Sequence, residues 1–90
     1  MYNFDKKEDY NKDNISISVK IDTSESYGCF EYEEEQTDEE KEMFGEQESM
    51  YFEGGLWFEK DQLFDYDGVD ELPEEIIKMI HKLGYKTDHI

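Results

Sequence analysis

Hydrophobic and polar positions alternate most regularly in the stretches "NISISVKID" and "YGCFEYEEE". In the first stretch, every second position is apolar: Ile15, Ile17, Val19 and Ile21. In the second, Phe30 and Tyr32 lie on one side of a strand, and the other side carries Cys29, Glu31 and Glu33. A period of two is the signature of a strand with one buried face. We therefore predict two strands that form a hairpin through "TSES".

The segments on either side of this hairpin have no such period. Residues 1–13 mix polar and charged side chains, and we expect a loose N-terminal arm there. Residues 34–48 are predicted as an acidic loop or a short helix. Thr37 followed by Glu40 three positions later fits a capping box, which favours the helix. Met43 and Phe44 would be the only apolar anchors of that helix.

The stretch "MYFEGGLWFEKDQLFDY" predicts a meander of short strands. Gly54-Gly55 suits a two-residue hairpin turn, where both positions need positive φ. A second turn is predicted at Lys60-Asp61, so that Phe58 pairs with Leu63 and Trp57 with Phe64. One face of this meander carries Phe52, Trp57 and Phe64, and the other carries Tyr51, Leu56, Phe58 and Leu63. One helix cannot easily cover two apolar faces, so Trp57 is expected in the core or in an interface.

The C-terminal stretch "LPEEIIKMIHKLGYK" predicts an amphipathic helix. Pro73 suits the first helical position, and Gly84 is placed to end the helix so that Tyr85 can pack back. The apolar stripe of this helix comprises Ile76, Ile77, Met79, Ile80 and Leu83. We expect a single α+β domain over residues 1–90. Its antiparallel sheet has four to five strands, and the C-terminal helix packs on one face.

Charge distinguishes this chain more than its core does. Twenty-six acids against nine lysines give a net charge of −17. Residues 22–75 hold 21 of the acids and two of the lysines, whereas residues 76–90 are net positive. Such a protein is not expected to bind nucleic acid itself, and it should be attracted to strongly basic surfaces.

Targeting signals and cysteine usage point to the cytoplasm. The start "MYNFDKKEDY" lacks an apolar stretch followed by a small-residue cleavage site, so no signal peptide is predicted. No stretch approaches the ~20 apolar residues that span a bilayer, and no membrane partner is expected. A single cysteine, Cys29, excludes an internal disulfide.

The run "LFDYDGVDELPEE" resembles a calcium loop in the order of its residues. With Gly68 at the sixth position, Asp67, Asp65 and Glu74 fall at positions five, three and twelve. Position one is then Leu63, which has no ligand oxygen, and no helix is predicted before it. We therefore expect a turn that joins strand to helix, with no metal site.

Enzyme chemistry is also not expected. Carboxylate pairs arise by chance among 26 acids, so they do not point to acid–base catalysis. Two histidines and one cysteine are too few for a zinc site built only from them, and no phosphate-binding glycine loop is present. No catalytic residue and no cofactor are predicted.

The acidic clusters "EYEEEQTDEE" and "LFDYDGVDE" are the candidate partner-binding residues. They comprise Glu31, Glu33, Glu34, Glu35, Asp38, Glu39, Glu40, Asp65, Asp67, Asp70 and Glu71. Carboxylates two apart on a strand project from one face about 6.7 Å apart, comparable with successive phosphates of a nucleic-acid strand. In size, charge, these clusters and its α+β layout, the chain resembles small acidic DNA-mimic inhibitors of bacteriophages and mobile elements. That class includes anti-CRISPR and anti-restriction proteins and uracil-DNA glycosylase inhibitor.

This resemblance implies a non-catalytic inhibitor that binds the basic nucleic-acid-binding surface of a host enzyme in the host cytoplasm. An anti-CRISPR or other anti-defence protein of a phage is the leading hypothesis. Two alternatives stay open: an immunity protein or antitoxin that caps a basic nuclease or toxin, and a structural or assembly protein that uses its aromatic face, with a homodimer as one option.

Overall fold

The protein forms an α+β fold, as predicted, in a computed structural model that describes residues 3–45 and 50–88. Its elements are β1 (Lys6–Lys12), β2 (Ile15–Asp22), β3 (Tyr27–Glu34), α1 (Asp38–Phe44), β4 (Met50–Glu59), β5 (Gln62–Tyr66) and α2 (Glu74–Lys82). The five strands form one antiparallel sheet in the order β1-β2-β3-β4-β5. Neither helix in this described part is long and apolar enough to cross a membrane.

The β2–β3 hairpin confirms the alternation in the sequence. Val19 lies opposite Phe30, and both side chains are buried. The chain reverses through Thr23 to Ser26. The hairpin therefore forms where the period of two and the polar turn predict it.

Residues 6–12 form β1, so the prediction of a loose arm over residues 1–13 is wrong there. Tyr10 lies opposite the buried Ile17, and β1 pairs with β2 along its whole length. Lys6 donates a hydrogen bond of 2.9 Å to the Leu83 carbonyl oxygen, with its amino group 5.1 Å from the centre of the Tyr85 ring. Lysine stems can cover apolar surface while the charge stays at the rim. A strand with Tyr10 as its one large apolar residue can therefore close this edge of the sheet.

Gly54-Gly55 lies in the middle of β4, and the predicted hairpin at this point is wrong. Gly54 pairs with Phe30 of β3, within one continuous strand. A Cβ atom at Gly54 would lie 2.0 Å from the carbonyl oxygen of Asp67. Glycine is required here by the close approach of another backbone segment, which is one of the reasons for glycine inside a strand.

The second predicted turn, at Lys60-Asp61, is confirmed. Phe58 lies opposite Leu63 as expected, and Lys60 adopts a positive φ of 59°. The pairing of Trp57 with Phe64 is wrong, because Trp57 lies opposite Asp65 and the register shifts at this point. This irregularity leaves Phe64 without a register partner on β4.

Helix α2 and the sheet share one buried cluster. The helix begins after Pro73, which is the N-cap residue, and ends before Gly84, whose φ is 100°. Its side chains Ile76, Met79 and Ile80 are buried together with the apolar side chains of β2 to β5. The stripe predicted for the C-terminal helix therefore covers one side of the sheet, called here the helix side.

The predicted faces of the β4 region are corrected by the continuous strand. Phe52 lies on the helix side with Leu56 and Phe58, because these three residues share the same parity along β4. Trp57 lies on the opposite side, called here the open side, together with Tyr51. Phe52 stacks on Tyr32, with ring centroids 4.6 Å apart and an interplanar angle of 8°.

Helix α1 begins at the predicted N-cap, Thr37. The Thr37 hydroxyl oxygen accepts a hydrogen bond of 3.3 Å from the Glu40 backbone N–H, and the hydroxyl donates one of 3.1 Å to the Glu40 carboxylate. The expectation that Met43 and Phe44 anchor this helix is wrong, because no residue of α1 is buried. Part of the predicted acidic segment, residues 46–48, lies outside the described residues.

Candidate functional site

A line of four register positions crosses β1 to β4 on the open side of the sheet, and three of the four positions are acidic. In the register of the strands, Asp9 lies opposite Ser18, Ser18 opposite Glu31, and Glu31 opposite Glu53. Neighbouring strands lie about 4.8 Å apart, so the four positions follow one another at close spacing. Glu33 lies two positions along β3, on the same side. Asp9, Glu31, Glu33 and Glu53 are called the acidic face below.

Two carboxylates of the acidic face oppose each other directly. Glu31 and Glu53 are register partners on β3 and β4, and both are exposed. Like charges at directly opposite positions of a sheet are destabilising. The Tyr51 hydroxyl donates a hydrogen bond of 3.0 Å to the Glu53 carboxylate. This bond is the main cause of the raised pKa of Tyr51, and the negative charges of Glu31, Glu53 and Glu33 raise that pKa further.

Lysine side chains compensate the acidic face only in part. Lys7 and Lys20 lie opposite each other on the open side, and the Lys7 amino group lies 3.7 Å from the Asp9 carboxylate. The other ion pairs among the described residues join Lys78 to Glu74, Lys82 to Glu8, and Lys86 to Asp61. Within the described part of the chain, therefore, Glu31, Glu33 and Glu53 have no ion-pair partner.

An aromatic pair lies beside the acidic face. The rings of Tyr27 and Trp57 meet edge to face, with centroids 5.5 Å apart. A Cβ atom at Gly55 would lie 2.9 Å from the Trp57 ring, so the indole covers this glycine. Cys29 lies between Lys20 and Gly55, and burial raises the pKa of its thiol, which favours the unreactive protonated form. Trp57 is half-buried on the open side, away from α2.

The first predicted cluster divides between four places. Glu31 and Glu33 belong to the acidic face, whereas Glu34 lies on the helix side, opposite Ile15. Glu35 follows the end of β3 and is exposed. The first turn of α1 carries the remaining members, which are exposed: Asp38, Glu39 and Glu40. The first cluster is therefore spread around the end of β3.

Asp65 and Asp67, in the second predicted cluster, accept backbone hydrogen bonds. The Asp65 carboxylate accepts one of 2.9 Å from the Tyr66 N–H. The Asp67 carboxylate accepts one of 2.6 Å from the Gly55 N–H, and its carbonyl oxygen lies against Gly54. In the strand register, Asp65 lies on the open side opposite Trp57. The backbone of Asp67 packs against the helix side of β4 at Gly54.

The other members of the second cluster lie in the segment that leads to α2. Asp70 and Glu71 are exposed, and the Asp70 carbonyl oxygen accepts a hydrogen bond of 3.1 Å from the Tyr66 hydroxyl. Residues 3–45 and 50–88 contain no group of three or more His, Cys, Asp or Glu side chains placed to hold a metal ion. Asp65 therefore belongs to β5, and Asp67, Asp70 and Glu71 lie in the segment that joins β5 to α2.

Sequence reasoning missed two members of the acidic face, Asp9 and Glu53. Asp9 lies in β1, where the weak alternation of "KKEDYNK" is the signal that could have placed it. The hairpin predicted at Gly54-Gly55 would place Glu53 next to a turn, with no pairing to β3. Only the pairing of β3 with β4 brings Glu53 next to Glu31.

Comparison with known proteins adds no family to this picture. No family model, curated protein or solved structure matches this chain. The features that bear on function are therefore physical: the acidic face, the exposed acids of α1 and the aromatic pair of Tyr27 and Trp57.

Proposed function

We propose that this protein is a non-catalytic inhibitor whose acidic surface occupies the basic nucleic-acid-binding surface of another protein. A phage-encoded anti-CRISPR or other anti-defence DNA mimic, acting in the host cytoplasm, fits this chemistry. The observation that carries the proposal is the direct opposition of Glu31 and Glu53 within the acidic face. This arrangement lowers stability in the free protein, and a partner rich in Lys and Arg would relieve the repulsion.

The spacing of the acidic face supports the same proposal. Glu31 and Glu33 are two positions apart on one strand, about 6.7 Å, and Glu53 adds a third charge one strand away, about 4.8 Å. A basic groove that tracks a phosphate backbone presents Lys and Arg at comparable intervals. The acidic face therefore offers several carboxylates to one groove at the same time.

Competition with nucleic acid tests this function. The assay offers each member of a panel of nucleases and CRISPR effector complexes a labelled nucleic-acid substrate, and measures its release by the protein at two salt concentrations. We expect wild type to displace the substrate from its target, and the apparent affinity to fall as salt rises. Reversal of Glu31, Glu33 and Glu53 to Lys should weaken displacement steeply.

A matched reversal separates the acidic face from net charge. Glu25, Glu75 and Asp88 are exposed and lie outside the acidic face, and their reversal to Lys changes the net charge equally. This control should weaken displacement less than the reversal of Glu31, Glu33 and Glu53. The mimic hypothesis is wrong if the protein binds its target without displacing nucleic acid. It is also wrong if the affinity changes neither with the two reversals nor with salt.

An immunity protein or antitoxin would use the same acidic surface against a single basic nuclease or toxin. The competition panel distinguishes this alternative by the identity of the protein that is bound. A structural or assembly protein would instead form complexes that survive high salt through aromatic contacts. Phe52, Leu56 and Phe58 lie on the helix side of β4. The aromatic side chains that β3 and β4 present on the open side for such contacts are Tyr27, Tyr51 and Trp57.

A further inference from the structure

Exposed hydrophobic side chains concentrate at one end of the molecule. The five large hydrophobic residues that are most exposed in the described part of the chain are Met43 (75%), Phe44 (65%), Met50 (55%), Tyr51 (53%) and Phe64 (49%). Four of these five lie between residues 43 and 51. Met50 is the register partner of Glu34, so β4 begins where β3 ends, at the sheet end from which α1 emerges.

Helix α1 keeps its shape without burying these side chains. Its start is held by the two hydrogen bonds between the Thr37 hydroxyl and Glu40. Its end is held by a hydrogen bond of 2.8 Å from the Gln36 side-chain amide to the Gly45 carbonyl oxygen. Because local polar contacts hold both ends, Met43 and Phe44 are free to serve a contact outside the domain.

Met43 and Phe44 present a compact apolar group. They are adjacent in the helix, so their side chains leave it about 100° apart. They lie at its C-terminal end, one turn beyond the carboxylates of its first turn. An apolar group next to a dense acidic surface is the complement of an apolar pocket bordered by basic side chains.

The charge around α1 distinguishes two kinds of partner for Met43 and Phe44, a second copy of this chain and a basic protein. The helix carries Asp38, Glu39, Glu40 and Glu42 against a single lysine, Lys41. A second copy of this chain would bring the same four acids against them, and like charges would oppose the contact. A basic protein would be attracted by these acids while it buries the apolar group.

We propose that Met43 and Phe44 are an apolar anchor that inserts into a pocket bordered by Lys and Arg on the partner protein. The inference rests on the proposed function in that the partner is the same basic protein. The acidic face then governs how fast the partner is captured, and the anchor governs how long it is held. Rim charges act mainly on association rates, whereas buried apolar anchors act on dissociation.

Two helical peptides of equal positive charge test the anchor as stand-ins for such a partner. One is built from Lys and Leu with an apolar stripe, and the other replaces every Leu by Gln. We expect wild type to bind the Lys/Leu peptide at least about tenfold more tightly in fluorescence polarisation, since burying one large apolar side chain accounts for a factor of that size. The double variant Met43→Gln/Phe44→Gln should lose this preference and keep its affinity for the Lys/Gln peptide.

Phe64 supplies the matched control, because it is an exposed phenylalanine in β5, away from α1. The variant Phe64→Gln should keep the preference for the Lys/Leu peptide. Equal binding of both peptides by wild type, or loss of the preference in Phe64→Gln as well, overturns the anchor. Sedimentation provides a further check: self-association that Met43→Gln/Phe44→Gln abolishes would assign the group to a second copy, and would also overturn the proposal.

The anchor and the proposed function fail in different ways. If reversing Glu31, Glu33 and Glu53 leaves nucleic-acid competition unchanged while the Lys/Leu preference depends on Met43 and Phe44, the mimic function fails and the anchor stands. If the reversal abolishes competition and the double variant keeps the full Lys/Leu preference, the anchor fails and the mimic function stands.

Discussion

The buried carboxylate of Asp22 accepts a hydrogen bond of 2.7 Å from the backbone N–H of Asn3. The same carboxylate accepts a hydrogen bond of 2.7 Å from the Ser24 hydroxyl and one of 3.0 Å from the Ser24 N–H. A second carboxylate, that of Asp5, accepts hydrogen bonds from the backbone and the hydroxyl of Thr23. These contacts tie the segment before β1 to the β2–β3 turn.

Lowering the pH should weaken the hydrogen bonds that the Asp22 carboxylate accepts. The hydrogen bond from the Ser24 hydroxyl and the one from Asn3 lower the pKa of Asp22 below its ordinary value of 3.8. A carboxylate with a lowered folded-state pKa stabilises the fold above its unfolded pKa, and that contribution is lost as pH falls through the folded pKa. We expect Asp22→Asn to lower the stability measured by urea unfolding at pH 7. The difference from wild type should shrink as the pH falls below about 3.8, the unfolded value.

Asp13→Asn is a suitable control, because it removes the same charge at an exposed turn whose positive φ of 52° asparagine tolerates. Its difference from wild type should be smaller at pH 7. A loss of stability in Asp22→Asn that stays constant from pH 7 to pH 3 would contradict the role assigned to the carboxylate.

Replacing Gly54 tests the continuous β4 strand. A Cβ atom at this position would meet the Asp67 carbonyl oxygen at 2.0 Å and the Phe30 ring at 2.9 Å, so Gly54→Ala forces backbone to move. We expect a loss of about 3 kcal/mol in urea unfolding. Ser16→Ala, at an exposed position of β2, should change stability by less than about 0.5 kcal/mol.

Nuclear Overhauser contacts provide a second measurement of β4. The continuous strand places Gly54 opposite Phe30, and contacts between these two residues are expected. A hairpin at Gly54-Gly55 would instead give contacts between Phe52 and Trp57. Either tolerance of Gly54→Ala or this second set of contacts would contradict the pairing of β3 with β4.

The elements that the sequence predicts correctly are those in which local pattern and tertiary burial agree. Strand β2 alternates strictly because its helix side is buried, and α2 carries an apolar stripe flanked by Pro73 and Gly84. Strand β1 is missed because Lys6 and Glu8 occupy its inward positions. Their charged ends pair instead with the Leu83 carbonyl and with Lys82, contacts that are non-local and leave no local signal.

The glycine pair shows how one residue type can serve two purposes. Glycine is selected for positive φ in a turn and also for close approach of another backbone, and the sequence does not distinguish the two. The close approach of Asp67 to Gly54 is what requires glycine here. This contact joins β4 to the segment after β5, so it leaves no local signal in the sequence. The predicted turn at Gly54-Gly55 also explains why the acidic face was not predicted. Glu31 and Glu53 oppose each other only when β4 is continuous.

Truncation of Trp57 should cost less than truncation of a core residue. Trp57 is half-buried and gains an edge-to-face contact with Tyr27, so Trp57→Ala should lower stability by about 2 kcal/mol. Leu56→Ala, at a fully buried neighbour on the helix side, should cost about 2–5 kcal/mol. Urea unfolding of both variants makes the comparison. A cost for Trp57→Ala equal to or above that of Leu56→Ala would show that Trp57 is core.

Relief of the repulsion between Glu31 and Glu53 should increase stability. Glu53→Lys places opposite charges at two directly opposed positions, which should stabilise the fold by about 0.2–1 kcal/mol at low salt. Glu59→Lys is the matched control, since Glu59 is exposed on the same strand and side but lies opposite the neutral Gln62. Both variants change the net charge equally, but Glu53→Lys also removes the hydrogen bond from the Tyr51 hydroxyl to Glu53. Their difference in urea unfolding therefore reports the cross-strand pair net of that hydrogen bond, and it should decrease as salt is raised.

If the acidic face binds a basic partner, Glu53→Lys should weaken binding although it stabilises the fold. Glu53→Lys alone should weaken displacement of nucleic acid only slightly, because the energy is spread over many carboxylates. The triple reversal of Glu31, Glu33 and Glu53 should weaken it steeply while the domain stays folded, since exposed charges contribute little to stability. Wild type would then be less stable than Glu53→Lys, which binds less well, as expected for charges kept for a partner. A triple variant that unfolds, or one that still displaces nucleic acid as wild type does, would contradict this explanation.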